Sequence, residues 1–211
     1  MTKSTRIAPL AALAVILTCA FVARPAWTGQ AEQTPPHPDA DVPSIIKAVP
    51  SQTLAPYVPT PQIIVERMLE LAEVTADDVV YDLGSGDGRI PITAAEKYGA
   101  RGVGIDIDAE LIAMSRENAR RAGVEHLVTF IQEDVRQVDL SEATVVTMYL
   151  LTSSNLQLRP KLTSELAPGS RIVSHSFGMG DWAPEKTVSV EDAGGRERPL
   201  YLWRTDGIVR D

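Results

Sequence analysis

Apolar residues along the chain alternate between short continuous runs and segments of helical period. That alternation predicts an α/β fold. Val79–Leu83 is an apolar run interrupted only by Asp82, as expected of a buried strand. It ends in Gly84-Ser85-Gly86-Asp87-Gly88, and a helix-like segment, Arg89–Tyr98, follows and stops at Gly99, a residue suited to a left-handed cap. The unit then repeats. Arg101–Asp106 predicts a second strand, Asp108 a cap, and Ala109–Ala122 a helix that buries Leu111, Ile112, Ser115, Ala119 and Ala122 and stops at Gly123. A third strand is predicted over residues 127–131. Residues 143–151, almost unbroken in apolar character, predict a central fourth strand whose end, Tyr149-Leu150-Leu151, opens into a cleft. A helix carrying Leu158, Leu162, Glu165 and Leu166 leads through Ala167-Pro168-Gly169-Ser170 to a fifth strand, 171–174. Residues 187–191 and 199–204 flank Asp192-Ala193-Gly194-Gly195 at the spacing of an antiparallel hairpin on a sheet edge. Ahead of the first strand, Thr60 is expected to cap a helix with Pro61 at its first position and Ile64, Met68, Leu71 and Ala72 on its apolar face.

The beginning of the chain has a different pattern. Lys3 and Arg6 precede an apolar run over residues 7–23 that is broken only by Pro9, Thr18 and Cys19. A charged segment followed by an apolar one predicts that residues 1–31 are a signal peptide, cleaved after Ala20 or Ala31, or an N-terminal membrane anchor, since the run is close to the lower limit for a span. Residues 32–55, rich in Pro, Gln, Ala and Asp, read as a linker, and 56–211 as one domain of catalytic size.

Composition narrows the chemistry. Cys19 is the only cysteine and lies in the leader, so the domain is expected to carry no disulfide. His37, His126 and His175 are far apart and lack partners at ligand spacing, which predicts no structural metal. The net charge is −8, and no basic block occurs. Neutralising phosphates dominates nucleic-acid affinity, so such a partner is disfavoured, whereas an acidic surface suits a cationic side chain.

The charge of the glycine turn selects a ligand. A helix N-terminus after such a turn normally receives a phosphate. Here Asp82 precedes the first glycine and Asp87 lies inside the turn, and two carboxylates repel phosphate. They suit a ligand with an amine and a sulfonium, and S-adenosyl-L-methionine has both. The expected cofactor contacts are Asp82, Gly84, Ser85, Gly86, Asp87 and Gly88. Asp106 lies about twenty residues beyond the turn, where an acid meets ribose hydroxyls, and Ile107 follows it into the site. Asp134 is expected to accept from an adenine amine, and the Val135 backbone to meet a ring nitrogen. Pro56-Tyr57-Val58-Pro59 is stiffened by its two prolines. It is expected to fold back as a strap that brings Tyr57 over the carboxyl ends of the strands.

These motifs together resemble class I S-adenosylmethionine-dependent methyltransferases. More narrowly, the chain is similar to the small protein-lysine methyltransferases of mitochondria that act on ATP synthase subunit c and the adenine nucleotide translocase, and to their bacterial relatives. The narrower resemblance rests on Pro56-Tyr57-Val58-Pro59, on Tyr81-Asp82-Leu83-Gly84-Ser85-Gly86-Asp87-Gly88-Arg89-Ile90, on Gly102-Val103-Gly104-Ile105-Asp106 and on Thr147-Met148-Tyr149-Leu150-Leu151, within residues 56–182. It implies a Rossmann-like seven-stranded sheet, mostly parallel with a C-terminal antiparallel hairpin and helices on both faces. It also implies methyl transfer to a neutral lysine amine of a protein substrate, with Tyr149 and His175 orienting that amine, by a monomer. The Asn/Asp-Pro-Pro-Tyr motif of nucleic-acid amino methyltransferases is absent. An exported domain would be separated from a cytoplasmic cofactor. A non-catalytic ligand-binding or interaction domain therefore stands as an alternative, and a small-molecule methyltransferase on the same core is another.

Overall fold

The computed structural model describes residues 54–211. The leader and the linker up to residue 53 lie outside the described residues. Among those described, no helix is long and apolar enough to cross a membrane.

Eleven elements follow in chain order: α1 (Gln62–Leu71), β1 (Val79–Leu83), α2 (Arg89–Tyr98), β2 (Arg101–Asp106), α3 (Ala109–Ala122), β3 (Val128–Gln132), β4 (Val145–Met148), α4 (Thr152–Glu165), β5 (Arg171–His175), β6 (Lys186–Glu191) and β7 (Glu197–Arg204). They build one seven-stranded sheet in the order β3-β2-β1-β4-β5-β7-β6. The five strands from β3 to β5 are parallel. β7 pairs antiparallel with β5 and with the edge strand β6, as the hairpin spacing predicts. The chain reverses its direction of travel across the sheet between β1 and β4, and such a switch opens a ligand crevice at the carboxyl ends of the strands.

Period-two burial divides the core. Val79, Tyr81 and Leu83 of β1 pack with Leu158, Leu162 and Leu166 of the α4 segment. Val80 and, on β4, Val145 pack with Ile64, Val65, Met68 and Leu69 of α1 and with Ile90 and Ala94 of α2. Ile112 and Ala119 of α3 pack with Ile92, Val128 and Phe130. Across the five parallel strands one register row reads Phe130, Gly104, Asp82, Thr147, Val173. Asp82 and Thr147 are therefore direct neighbours. The space beside Gly104, between Phe130 and Asp82 in the row, is taken up by the Phe130 ring and the Ser85 hydroxyl.

Several boundaries differ from the sequence reading. Pro61, not Thr60, is the N-cap residue of α1: its ψ of 142° is extended, and no side chain caps the helix. Thr60, disfavoured from helix by the following proline, instead offers its carbonyl to Arg89 Nη1 at 2.7 Å. The fourth strand is four residues long rather than nine, because its partner β1 ends at Leu83, opposite Met148. Of the flanking apolar residues, Ala143 and Leu150 are buried without pairing and Leu151 is exposed, so an apolar run does not measure strand length. The third strand lies one residue later than expected, and Leu111 and Ala122 of α3 are half-buried. Leu54 and Ala55, assigned to the linker, pack against the core.

Gly104→Ala tests the register row. A β-carbon there would lie 2.6 Å from Phe130 Cδ1 and 2.8 Å from Ser85 Oγ. Overpacking of this kind costs about 1–3 kcal/mol, and thermal denaturation of the variant should show a midpoint several degrees lower. An unchanged midpoint would mean that the row is not tightly packed.

Candidate active site

The glycine turn is built onto the end of β2. Gly84 N and Ser85 N both donate to the Ile105 carbonyl at 2.9 Å, and Gly86 N donates to Asp106 Oδ2 at 2.8 Å. Asp106 Oδ1 accepts from Asp108 N at 3.0 Å, while Asp108 caps α3 through Glu110 N and Leu111 N, as expected. Asp106 thus fixes the turn with one lone pair of each oxygen and retains acceptor capacity for ribose hydroxyls. Ile107, beside it, is exposed at the mouth of the cleft. Gly86 has φ 54°, and a β-carbon on it would collide with the Tyr57 ring. The strap does lie over the turn. It is tied at one end by the Ser154 hydroxyl, which donates to the Leu54 carbonyl, and at the other by Arg89 on Thr60.

Asp82 and Asp87 differ in their partners. Asp87 accepts from Arg89 Nε at 2.9 Å and Nη2 at 2.6 Å, and the Tyr57 hydroxyl bonds to it as well. Burial pushes its pKa up, but the Arg89 guanidinium outweighs burial and the net shift is downward. The Asp87 charge is spent within the protein, as the clasp that holds the strap. Asp82 is only 3% exposed. Its hydrogen-bond donor is the Thr147 hydroxyl at 2.7 Å. Burial raises its pKa to about 7; the Thr147 bond opposes that rise, and the neighbouring Asp106 and Asp87 add to it.

At the adenine end, Val135 is buried and Asp134 is held by Arg136. The guanidinium lowers the Asp134 pKa, and the Arg136 backbone N–H adds a bond of 3.0 Å. An adenine amine would therefore share Asp134 with Arg136.

The ends of β4 and β5 form the other wall. Tyr149 stacks on His175 with centroids 3.8 Å apart, and Phe177 lies 6.1 Å from Tyr149. The two expected catalytic residues are therefore brought together. His175 is fully buried, and neither ring nitrogen has a hydrogen-bond partner. Burial, with help from Arg198 and against Asp192, lowers its pKa to about 4, so the ring is neutral near pH 7. Ser176, next in the chain, has φ 64°, and Phe177 N closes back onto the His175 carbonyl at 2.9 Å. Such strained backbone persists only where its surroundings fix it. Here Asn155 of α4 does so, donating to Ser174 Oγ and to the Phe177 and Gly178 carbonyls.

Sequence reasoning missed Arg89, Thr147 and Asn155. Arg89 was visible inside the glycine-turn motif. The other two depend on strand register and on a loop path that no local pattern encodes.

These residues fit S-adenosylmethionine. The turn glycines adopt left-handed φ values that a sharp turn beside a ligand requires, the buried Ser85 Oγ has no partner, and Asp82 lacks a counter-cation. Asp82→Asn provides a test. A folded-state pKa above the unfolded one means that the Asp82 contribution to stability is present below about 4 and is lost as pH rises through about 7. The melting temperature of the ligand-free variant should exceed that of the wild type by a margin that widens from pH 5 to pH 8. Cofactor affinity should fall roughly tenfold or more, as expected for a lost charged hydrogen bond. Parallel melting curves with unchanged affinity would contradict this role.

Comparison with known proteins points to the same cofactor. A family model described as the ANTKMT methyltransferase domain matches residues 82–186. The protein-lysine N-methyltransferase of Saccharolobus islandicus is 48% identical over 149 residues, covering 70% of this chain and 92% of that one. The adenine nucleotide translocase lysine N-methyltransferase of Mus musculus is 35% identical over 67% of this chain, which spans 62% of that relative's length. A crystal structure of an RNA methyltransferase from Salinibacter ruber with S-adenosyl-L-homocysteine is 53% identical, with a TM-score of 0.69 over 73% of this chain and 97% of that one. The acidic glycine turn, the seven-stranded sheet and these matches lead to one assignment: the chain belongs to the ANTKMT-type family of S-adenosylmethionine-dependent methyltransferases.

Proposed function

We propose that the acceptor is a lysine side chain of a protein substrate. The observation that carries this reading is the neutral aromatic wall of Tyr149, His175 and Phe177. A lysine amine attacks only without its proton, and free lysine has a pKa near 10.4. An apolar, aromatic surrounding favours the uncharged amine. Support also comes from the lysine methyltransferases among the relatives, and from a net charge of −8 that suits a cationic side chain. The Salinibacter relative is described as acting on RNA, but the acidity of this chain disfavours a polyanion.

The bound cofactor supplies an electrophilic methyl group on its sulfonium. The protein supplies position. Asp82 and Asp106 would hold the two ends of the methionine-to-ribose region, and Tyr57 lies over the turn at Gly86. Tyr149, stacked on His175, would orient the amine for in-line attack, which in general needs an approach of about 3–3.5 Å. His175 has no hydrogen-bonded carboxylate to raise its basicity, so its part is packing and orientation rather than proton abstraction.

The test is incubation of the full chain with methyl-labelled cofactor and either membrane-fraction protein or RNA, followed by mass spectrometry of labelled peptides. Methylated lysine is expected. Label confined to RNA or to small molecules would overturn the reading. Tyr149→Ala should lower turnover roughly a hundredfold, the usual cost of a misplaced reacting group, with cofactor affinity changed less than about twofold.

A further inference from the structure

Among the groups around the cleft, Thr147 is the one that the assigned family role leaves unexplained. It is fully buried on the central strand β4, directly opposite Asp82 in the strand register. Its hydroxyl oxygen lies 2.7 Å from Asp82 Oδ1 and 3.5 Å from the Tyr81 carbonyl. A hydroxyl has one proton and two lone pairs. It can donate to an ionised Asp82. It can also accept from a protonated Asp82 while its own proton turns toward Tyr81.

We propose that Thr147 is a positioning residue for cofactor selection, its hydroxyl holding Asp82 ready as the counter-charge of a cationic ligand and keeping the hydrogen bond when Asp82 exchanges its proton. The surroundings of Asp82 make this necessary. The charged groups acting on it are Asp106 from the end of β2 and Asp87 from the glycine turn, both acidic, and Arg89 is committed to Asp87 and to the Thr60 carbonyl. Burial, opposed by one hydroxyl donor, leaves the carboxyl poised between its two charge states near neutral pH. An arriving cation tips it to the ionised state and expels a proton. An uncharged nucleoside has no such effect. The cradle thereby favours a methionine-bearing cationic cofactor over the neutral adenosine thioethers that share its adenine and ribose. The inference rests on the cofactor and is independent of the acceptor.

The experiment compares the full-length wild type, Thr147→Val and Thr147→Ser by calorimetry, with S-adenosylmethionine and with 5′-methylthioadenosine as probes. Titrations run from pH 5.5 to 8.5 in buffers of different ionisation enthalpy. The amine of the ligand titrates identically in all three proteins, so differences between their curves belong to the protein. The wild type should release a proton on binding S-adenosylmethionine near neutral pH and none on binding methylthioadenosine. Thr147→Val removes a bond that favours the ionised carboxylate. The midpoint of the pH dependence should therefore rise by about one unit, and affinity for S-adenosylmethionine at pH 7 should fall roughly tenfold. Affinity for methylthioadenosine should change less than about twofold, and Thr147→Ser should restore wild-type behaviour on both counts. Equal loss of both ligands in Thr147→Val would reduce Thr147 to a packing residue. An unmoved pH midpoint, or proton release that persists unchanged in the valine variant, would also overturn the proposal.

Discussion

One carboxyl group with no cation to balance it, Asp82 near the end of β1, is the constraint around which the site is built. Ionising a group that is 3% exposed, with a single hydroxyl donor and two acids nearby, is unfavourable in the free protein. Its neighbours keep it in that state. Thr147 gives it one hydrogen bond, and the Arg89 guanidinium at the start of α2 is bonded to Asp87. The instability left at Asp82 is available to a cationic ligand, which relieves it on binding. A site that is poorly satisfied when empty is a common form of specificity, because the matching ligand removes a penalty that other ligands leave in place.

The opposite wall is governed by the reverse condition. Where the cofactor cradle keeps a charge waiting, the acceptor wall of Tyr149, His175 and Phe177 keeps charge away, and burial holds even the histidine neutral. The two halves sit on adjacent strands of one sheet, so rigid pairing sets the distance between them. The strap completes the enclosure. Tyr57 rests on Gly86, and the Asp87–Arg89 pair ties the strap to the turn beneath it. An ion pair that looks, in sequence, like part of a ligand-binding acid cluster is mechanically a clasp.

The fold was legible because its signals are local. Val79–Leu83, the glycine turn and the caps at Gly99, Asp108 and Gly123 each declare themselves within a few residues, and their order dictates a doubly wound sheet. Tyr57, Asp82 and Asp106 were legible because proline stiffness and motif spacing place them at the carboxyl ends of the strands. The ends of β4 were not, because the apolar run continues at both ends beyond the residues that pair. The fate of the Asp87 charge was hidden for a similar reason: an acid two residues from an arginine reads identically whether the two pair or diverge. Thr147 needed the register of two strands 65 residues apart, and the role of Asn155 needed the path of the loop after β5.

The charge state of Asp82 is directly measurable by following its side-chain carboxyl carbon by NMR through a pH titration, with and without S-adenosylmethionine. The free protein should show a midpoint near 7, and saturation with the cofactor should move that midpoint below about 5. A carboxyl that titrates near 4 in the free protein, or whose midpoint does not respond to the cofactor, would contradict the account.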